Sequence, residues 1–423
     1  MRRFKEPVKT VLILLLTLSA VFLAWKGSLF SAFFPPKAPP SPAPTEDAGL
    51  VCSPASLPTS AAVTLSGGLR FGVKYDSEQM ESLYESFSAL LAEALGSAGA
   101  PEKIDEAEWR DRLCQEGLWL DYGYPLPIAV LAAWVGVEAA WAEERSASAC
   151  LLVSGDAGSV FLCFREGNGD CFRCATSASR AALRARVSEY RPNGAAFAFE
   201  SEKLGDCDPC FLVLEQLPEL YAWQSASGQQ AAAQALGERF GINLGGQSRY
   251  TEADGTLVYP GESGVLRLTA DGAVAYSAAE GAVPAPETAA ERIEWVRRLL
   301  EAARSGWSGA EETYLSGAEE TEDGLRLTWS YSLGGVAVEL ASGPAASALW
   351  RPSGLGEIVL RPLSFRQGET VGGLLPEKQA AAVAGSLREG SEARLVLQGE
   401  EGARFAPVWT VAVDGRSLWT RED

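Results

Sequence analysis

Histidine is absent from the 423 residues of the chain, and lysine is scarce, with only eight residues. Without an imidazole, the chain cannot build a histidine-dependent Ser or Cys nucleophile, a histidine-ligated zinc hydrolase or a phosphorelay histidine. No lysine lies three residues after a serine, as the Ser-x-x-Lys acylases require, and no Gly-Lys-Ser/Thr phosphate loop occurs. The sequence therefore predicts that the protein is not an enzyme.

Positive charge is also limited, because 36 Lys and Arg face 55 Asp and Glu, a net charge of −19. No basic run follows residue 10. This balance argues against a nucleic-acid partner and against docking on anionic lipid headgroups. Acidic pairs such as Glu311–Glu312 and Glu319–Glu320 lie in polar, turn-like stretches. We predict that these are solvated faces and not the paired carboxylates of a glycosidase.

A charge-free apolar run begins close to the N-terminus, in TVLILLLTLSAVFLAWK. It predicts a transmembrane helix over residues 10–26, which could extend to residue 34. The basic tail before it, residues 1–9, carries four Arg or Lys against one Glu, so the N-terminus is expected in the cytoplasm. No small-x-small cleavage site follows, which favours an uncleaved anchor over a cleaved signal peptide. We expect a single-pass protein of the cell membrane with most of the chain extracytoplasmic, beyond a Pro-rich spacer over residues 35–60.

Small residues mark one face of this predicted helix. Thr17, Ala20 and Ala24 lie at i, i+3 and i+7, a spacing that places them on one side. Helices in lipid associate through close packing at small residues and through hydroxyl hydrogen bonds. These three residues are therefore candidates for contact with a partner helix, although a leucine-rich anchor can also contain a few small residues by chance.

Two Cys-x-x-Cys pairs are the strongest local motif, at CFRC (171–174) and CDPC (207–210). Such pairs can hold zinc, act as redox dithiols or form disulfides. Outside the cell disulfides persist, so we favour structural staples. The disulfide candidates are Cys150, Cys163, Cys171, Cys174, Cys207 and Cys210. The candidate zinc ligands are Cys171, Cys174, Cys207 and Cys210, and no other cofactor is expected.

The sequence of the exported part predicts an α+β fold. Residues 61–225 predict a mixed α/β domain with a hairpin at 62–76, helices near 76–99, 102–115, 125–136 and 177–190, and strands at 195–201 and 209–216. A linker-like QSASGQQ (224–230) follows. Residues 231–310 and 320–423 then predict two smaller modules in tandem, each an antiparallel sheet with a helix.

Several stretches resemble the YycH/YycI group, which are membrane-anchored accessory proteins of the cell-wall two-component system of Gram-positive bacteria. They are FAFE (197–200), RYTEADGTLVYP with LRLTADGAVAY (249–276), LLPEKQAAA (374–382) and PVWTVAVDG (407–415). The resemblance implies regulation of a sensor histidine kinase through contacts in the membrane and outside the cell, together with a homologous accessory membrane protein. The resemblance implies no catalytic residues, and neither Cys-x-x-Cys pair belongs to the motifs of this group.

Two other functions stay open at this point. The cysteine pairs would suit an exported metal-binding or thiol-redox protein. Twelve tryptophans would suit a cell-wall-associated scaffold or binding protein, because indole rings stack on sugars. However, Trp119, Trp329 and Trp409 alternate within predicted strands, and Trp295 lies beside an apolar helix stripe. We therefore predict that these four pack in the core.

Overall fold

The computed structural model describes residues 57–142, 145–155, 158–246, 248–304, 309–387, 390–400, 402–413 and 416–420. The predicted anchor and residues 35–56 of the predicted spacer lie outside these residues. The last four spacer residues are described, and Ser60 already belongs to the first strand. Within the described ranges no helix is both long and apolar enough to cross a membrane.

The N-terminal half contains an antiparallel sheet of seven strands, in the order β2-β1-β4-β5-β6-β7-β3. The strands are β1 (Ser60–Thr64), β2 (Arg70–Lys74), β3 (Glu102–Ile104), β4 (Gly117–Pro127), β5 (Ser146–Ser154), β6 (Ser159–Arg165) and β7 (Cys171–Ser179). The helices of this half are α1 (Ser77–Ser97), α2 (Glu106–Leu113), α3 (Ile128–Trp134) and α4 (Arg180–Val187). The predicted hairpin is confirmed as β1 and β2.

Both faces of this sheet are covered. Helices α1, α3 and α4 bury apolar side chains against one face. Helix α2 and the segment 195–214 cover the other, where Trp109 and Phe197 are fully buried. This explains why β5 and β6 are nearly continuous apolar runs, since every side chain of a doubly covered strand is buried. The segment itself contains a two-stranded pair, β8 (Ala196–Phe197) and β9 (Leu212–Val213).

The C-terminal half contributes one large sheet. It has 14 strands in the described residues, with a main path β11-β12-β13-β14-β19-β18-β16-β17-β21-β22-β10-β20 and with β15 and β23 paired to β16 and β22. The strands are β10 (Tyr221–Ser227), β11 (Tyr250–Thr251), β12 (Leu257–Pro260), β13 (Gly264–Leu268), β14 (Val274–Ala278), β15 (Glu312–Thr321), β16 (Gly324–Leu333), β17 (Val336–Glu339), β18 (Ala346–Arg351), β19 (Gly354–Leu360), β20 (Leu363–Thr370), β21 (Ala393–Gly399), β22 (Arg404–Val413) and β23 (Arg416–Thr420). Only β17 and β21 pair in parallel, among the strands described here.

Three helices pack on the large sheet: α5 (Gln229–Phe240), α6 (Ala289–Arg304) and α7 (Glu377–Leu387). Helix α6 begins as its sequence predicts, because Glu291 N donates to Thr288 Oγ1 at 3.2 Å and Thr288 N donates to a Glu291 carboxyl oxygen at 3.0 Å. Its apolar stripe joins one continuous core with α1, α3 and α5. The two halves therefore share a hydrophobic core.

The structure corrects several predicted boundaries. The helix predicted over 177–190 is α4, which starts at Ser179 as N-cap because residues 171–179 continue to alternate as strand β7. The helix predicted over 102–115 is split into β3 and α2, capped by Asp105. Strands predicted at 195–201 and 209–216 shrink to the two-residue β8 and β9.

The strand pairing also crosses the domain boundaries that the sequence predicts. The linker-like QSASGQQ contributes Gln224–Ser227 to β10, which pairs with β20 and β22. Strands from the two predicted C-terminal modules join in one sheet through the β14–β19 pairing. The mixed α+β class is confirmed, with seven α-helices in the described residues.

Candidate functional site

A cavity of about 410 Å³ lies between the seven-stranded sheet and the large sheet. Strands β1, β2 and β4 line it from one side, and β15, β16, β17 and β21 line it from the other. We call it the interface cavity. Its volume falls within the range of small-molecule sites, roughly 300–1,000 Å³.

A buried ion pair anchors one end of this cavity. Lys74 Nζ, at the end of β2, lies 2.6 Å from Glu377 Oε1 at the start of α7, and their side chains are 8% and 0% exposed. The ammonium also donates to the Leu212 carbonyl oxygen at 2.9 Å and lies 4.1 Å from the ring centroid of Phe211. The other carboxylate oxygen, Oε2, accepts from Leu214 N at 2.6 Å. The charges are therefore paired and hydrogen-bonded, as burial requires.

Tyr75 follows Lys74 and has an unusual backbone. Its φ of +60° is the only positive value at a non-glycine among the described residues, a conformation that costs of order 1–3 kcal/mol. Its hydroxyl donates to Glu377 Oε1 at 3.1 Å. The ring packs edge-on against Trp409 of β22, with centroids 6.3 Å apart. Tyr75 thus joins the N-terminal half to α7 and the large sheet at the cavity wall.

Gly335 allows the two halves of the chain to approach closely beside Tyr75. It lies in the β16–β17 turn at φ +86°, and an added Cβ would lie 2.5 Å from the Asp76 backbone nitrogen. That nitrogen belongs to the N-cap of α1, whose carboxylate accepts from Gln79 N at 2.9 Å. Only glycine permits this approach.

Carboxyl groups dominate the cavity wall. Asp121 of β4 accepts hydrogen bonds from Gly123 N at 2.9 Å and from Ser60 Oγ at 3.3 Å. Burial nevertheless raises the pKa of Asp121 above its usual value. Burial also raises the pKa of Glu312, with the charge of Glu81 as a second cause.

Glu392, directly before β21, has the most perturbed carboxyl of the cavity. Its side chain has no hydrogen-bond partner among the described residues. Burial, and then the charge of Asp121, raise its pKa to about 7. A carboxyl group with this pKa changes its charge near neutral pH and is available to a ligand.

The acidic pair Glu311–Glu312 corrects a sequence prediction. It was expected on a solvated face, but Glu311 is buried and accepts from Phe365 N at 3.0 Å. Glu312, at the start of β15, lines the cavity. The pair lies in turn-like sequence, and only the folded chain shows that Glu311 binds β20 and that Glu312 faces the cavity.

The structure places the two cysteines of each Cys-x-x-Cys pair in different core clusters. Cys171 lies on the face of the first sheet that α2 covers, and Cys174 lies on the opposite face. This follows from their strand, because residues i and i+3 of a strand point to opposite sides. Cys207 packs on α7, where its thiol donates to the Ala381 carbonyl oxygen at 3.1 Å, while Cys210 joins the core beside α2.

None of the candidate disulfides is formed. The seven described cysteines, Cys114, Cys150, Cys163, Cys171, Cys174, Cys207 and Cys210, are free thiols. Burial raises the pKa of Cys171 to about 11 and those of Cys150, Cys163, Cys174 and Cys210 to about 12. Thiols of high pKa are poor nucleophiles at neutral pH. The described residues also contain no group of three or more His, Cys, Asp or Glu placed to hold a metal ion.

The remaining predicted contact residues, Thr17, Ala20 and Ala24, lie outside the described residues. By contrast, no pattern in the sequence predicts the interface cavity. Its wall combines positions from residue 57 to residue 410, and no local motif connects them. The core tryptophans are confirmed: Trp119, Trp329 and Trp409 are buried, and Trp295 packs edge-on against Trp350 at 5.2 Å between centroids.

Comparison with solved structures finds a similar fold in the crystal structure of YycH from Bacillus subtilis. The likeness has a TM-score of 0.52 and a sequence identity of 13%, and it covers 86% of this chain and 96% of that chain. The resemblance suggested by the short motifs is thus confirmed as a YycH-like fold. No protein-family model matches the chain, and no curated protein matches it.

Proposed function

We propose that this chain is a non-catalytic accessory protein of the cell membrane that regulates a sensor histidine kinase. The observation that carries the proposal is the YycH-like fold over nearly the whole of both chains. The short motifs between residues 197 and 415 support the same group independently.

In this proposal, the N-terminal segment makes the contact with the kinase. The span at 10–26 anchors the chain, and its small-residue face of Thr17, Ala20 and Ala24 contacts a kinase helix. The Pro-rich spacer holds the folded part outside the membrane. A homologous accessory membrane protein is the second expected partner.

The metal-binding or redox alternative receives no support from the described residues, because the two cysteines of CFRC lie on opposite faces of a sheet. The wall-binding alternative loses Trp119, Trp329 and Trp409 to the core, and Trp295 is half-buried against it. Regulation by contact is therefore the function that the observations favour.

The test is in-cell crosslinking with the tagged full-length chain in its native membrane, followed by mass spectrometry. We expect a sensor histidine kinase to be captured, and its capture to fall when residues 10–25 are replaced by an unrelated apolar helix of equal length. The absence of any sensor kinase, with the chain present and folded in the membrane, would contradict the proposal.

A further inference from the structure

The interface cavity carries an excess of negative charge. Two cationic side chains, Lys74 and Arg394, line it, and Lys74 is already neutralised by Glu377. Five carboxyl groups line the same cavity: Asp76, Asp121, Glu312, Glu339 and Glu392. An anionic ligand would meet net repulsion here, whereas a cation would find several carboxylates within a partly enclosed space.

The carboxyl groups differ in whether they accept hydrogen bonds from the protein. Asp76 caps α1, Glu339 accepts from Gln398 Nε2, and Asp121 accepts from Gly123 and Ser60. The side chains of Glu312 and Glu392 have no hydrogen-bond partner among the described residues. Both side chains are half-buried. A carboxylate that loses water without gaining a donor costs stability, so a donor supplied by a ligand would be favoured at these positions.

Aromatic rings complete the wall. Tyr75, Tyr124, Tyr314 and Phe211 line the cavity. Aromatic faces attract cations, and this wall already does so, since Lys74 Nζ lies 4.1 Å from the Phe211 ring centroid and 5.1 Å from that of Tyr75. Carboxylates together with aromatic faces are the usual recognition chemistry of organic ammonium groups.

We propose that the interface cavity binds a small organic cation, whose ammonium group is held by the carboxyl groups of Glu392 and Asp121 and whose carbon skeleton packs on the tyrosine rings. A bare metal ion fits less well, because the described residues offer no cluster of three metal ligands. This site goes beyond the proposed kinase regulation and does not depend on it.

Such a ligand would touch both sheets at once. Asp121 belongs to the first sheet, and Glu392 precedes a strand of the second. A ligand that binds only when both carboxyl groups face it stabilises the closed arrangement by its differential affinity. The cavity therefore offers a means for a small molecule to influence how the two halves pack.

The test is isothermal titration calorimetry of the full-length chain at pH 8 and about 150 mM salt, which screens long-range attraction to the acidic surface. The probes are 1,4-diaminobutane, spermidine, phenylethylamine and tetramethylammonium, with 1,4-butanediol and succinate as neutral and anionic controls. We expect at least one amine to bind, and neither control to do so.

Two variants and a matched control locate the site. Glu392→Gln and Asp121→Asn should each weaken amine binding by about tenfold or more, because each removes a charge-assisted hydrogen bond. Glu280→Gln removes an equal charge at an exposed position outside the cavity and should leave affinity unchanged. Circular dichroism checks that each variant is folded.

Two outcomes would overturn the site. Either no amine binds more tightly than its neutral analogue, or Glu280→Gln weakens binding as much as Glu392→Gln. The second result would show non-specific attraction to an acidic protein. Loss of kinase capture by the full-length chain would leave this result untouched, so the two proposals fail separately.

Discussion

Lys74 and Glu377, 303 residues apart in the chain, form a buried ion pair with 2.6 Å between Nζ and Oε1. The pair ties the end of β2 to the start of α7, and Glu377 also receives the Tyr75 hydroxyl and the Leu214 amide. It therefore joins the N-terminal half to the C-terminal half beside the interface cavity. Glu377 lies within the LLPEKQAAA stretch that carries the resemblance, whereas Lys74 belongs to none of the motifs.

Breaking this pair should destabilise the fold strongly. Glu377→Ala leaves a buried ammonium without its counter-charge, and we expect a loss of about 3–5 kcal/mol in the free energy of unfolding. Lys74→Met combined with Glu377→Gln removes both charges and should cost much less. Lys103→Met is the control, because its pair with Asp170 is exposed and is worth about 1 kcal/mol or less. Urea unfolding measures all three. Equal losses for Glu377→Ala and Lys103→Met would contradict a buried, desolvated pair.

Gly335→Ala should weaken the junction between the halves. The new methyl group would meet the Asp76 backbone nitrogen at 2.5 Å, at a residue with φ +86°. Gly334 offers a matched control, since it has φ +59° and nothing within 4 Å of an added Cβ. We expect Gly334→Ala to cost about 1 kcal/mol from the backbone alone, and Gly335→Ala to cost clearly more. Thermal unfolding compares them, and similar losses would show that the close approach carries no energy.

Glu392 should make stability depend on pH. Its pKa is raised to about 7 in the folded protein, against about 4.3 in an unfolded chain. The folded state holds this proton more tightly, so the stabilisation is complete below pH 4.3 and is lost as the pH rises through 7. The groups that set this pKa are Asp121 and Asp208, which raise it, and Arg394 and Lys74, which lower it.

Glu392→Gln removes this dependence. The stability of the variant relative to the parent should increase between pH 5 and pH 8 by on the order of 2 kcal/mol. Urea unfolding at pH 5, 6, 7 and 8 measures the difference, with Glu280→Gln as the exposed control. A difference that stays constant across this range would mean that Glu392 titrates normally.

The thiols should be free and protected. Cys114 is the exposed one among the seven described cysteines, so a thiol reagent should label it in the native protein. The buried six should react only after unfolding. Peptide mapping by mass spectrometry follows each site separately. Resistance of Cys171 and Cys174 to labelling in denaturant, relieved by a reductant, would instead restore the disulfide prediction.

The sequence predicts those parts of the fold that depend on local periodicity. The apolar residues spaced three and four apart along α1 are buried, and Thr288 with Glu291 three residues later forms the capping box of α6. The start of α4 is missed because β7 keeps its alternation up to Ser179, through pairing with β6. Strand β10 is mistaken for a linker because its partners β20 and β22 lie more than 130 residues away.

The candidate site escapes sequence reasoning for the same reason. Asp121 and Glu392 come from different sheets, and only the assembled fold places both at one cavity. For the cysteine pairs, closeness in the sequence does not mean closeness in the fold. Their spacing suggests a shared site, but a strand separates Cys171 from Cys174 by directing them to opposite faces.

The small-residue face of the predicted anchor gives a further prediction. Ala20→Leu with Ala24→Leu should abolish regulation of the kinase by blocking close helix approach, while membrane insertion and folding persist. Leu15→Ile, on the opposite side of the predicted helix, is the control. Regulation that survives the replacement of residues 10–25 by an unrelated apolar helix would place the function wholly in the exported part.

Regulation of a sensor histidine kinase should appear as a change in the rate of kinase autophosphorylation. The captured kinase is reconstituted in lipid vesicles with the full-length chain, with its Ala20→Leu/Ala24→Leu variant, or alone. We expect the full-length chain to change the rate of autophosphorylation and the variant to leave it as it is for the kinase alone. An identical rate in all three preparations, with the chain inserted and folded, would contradict it.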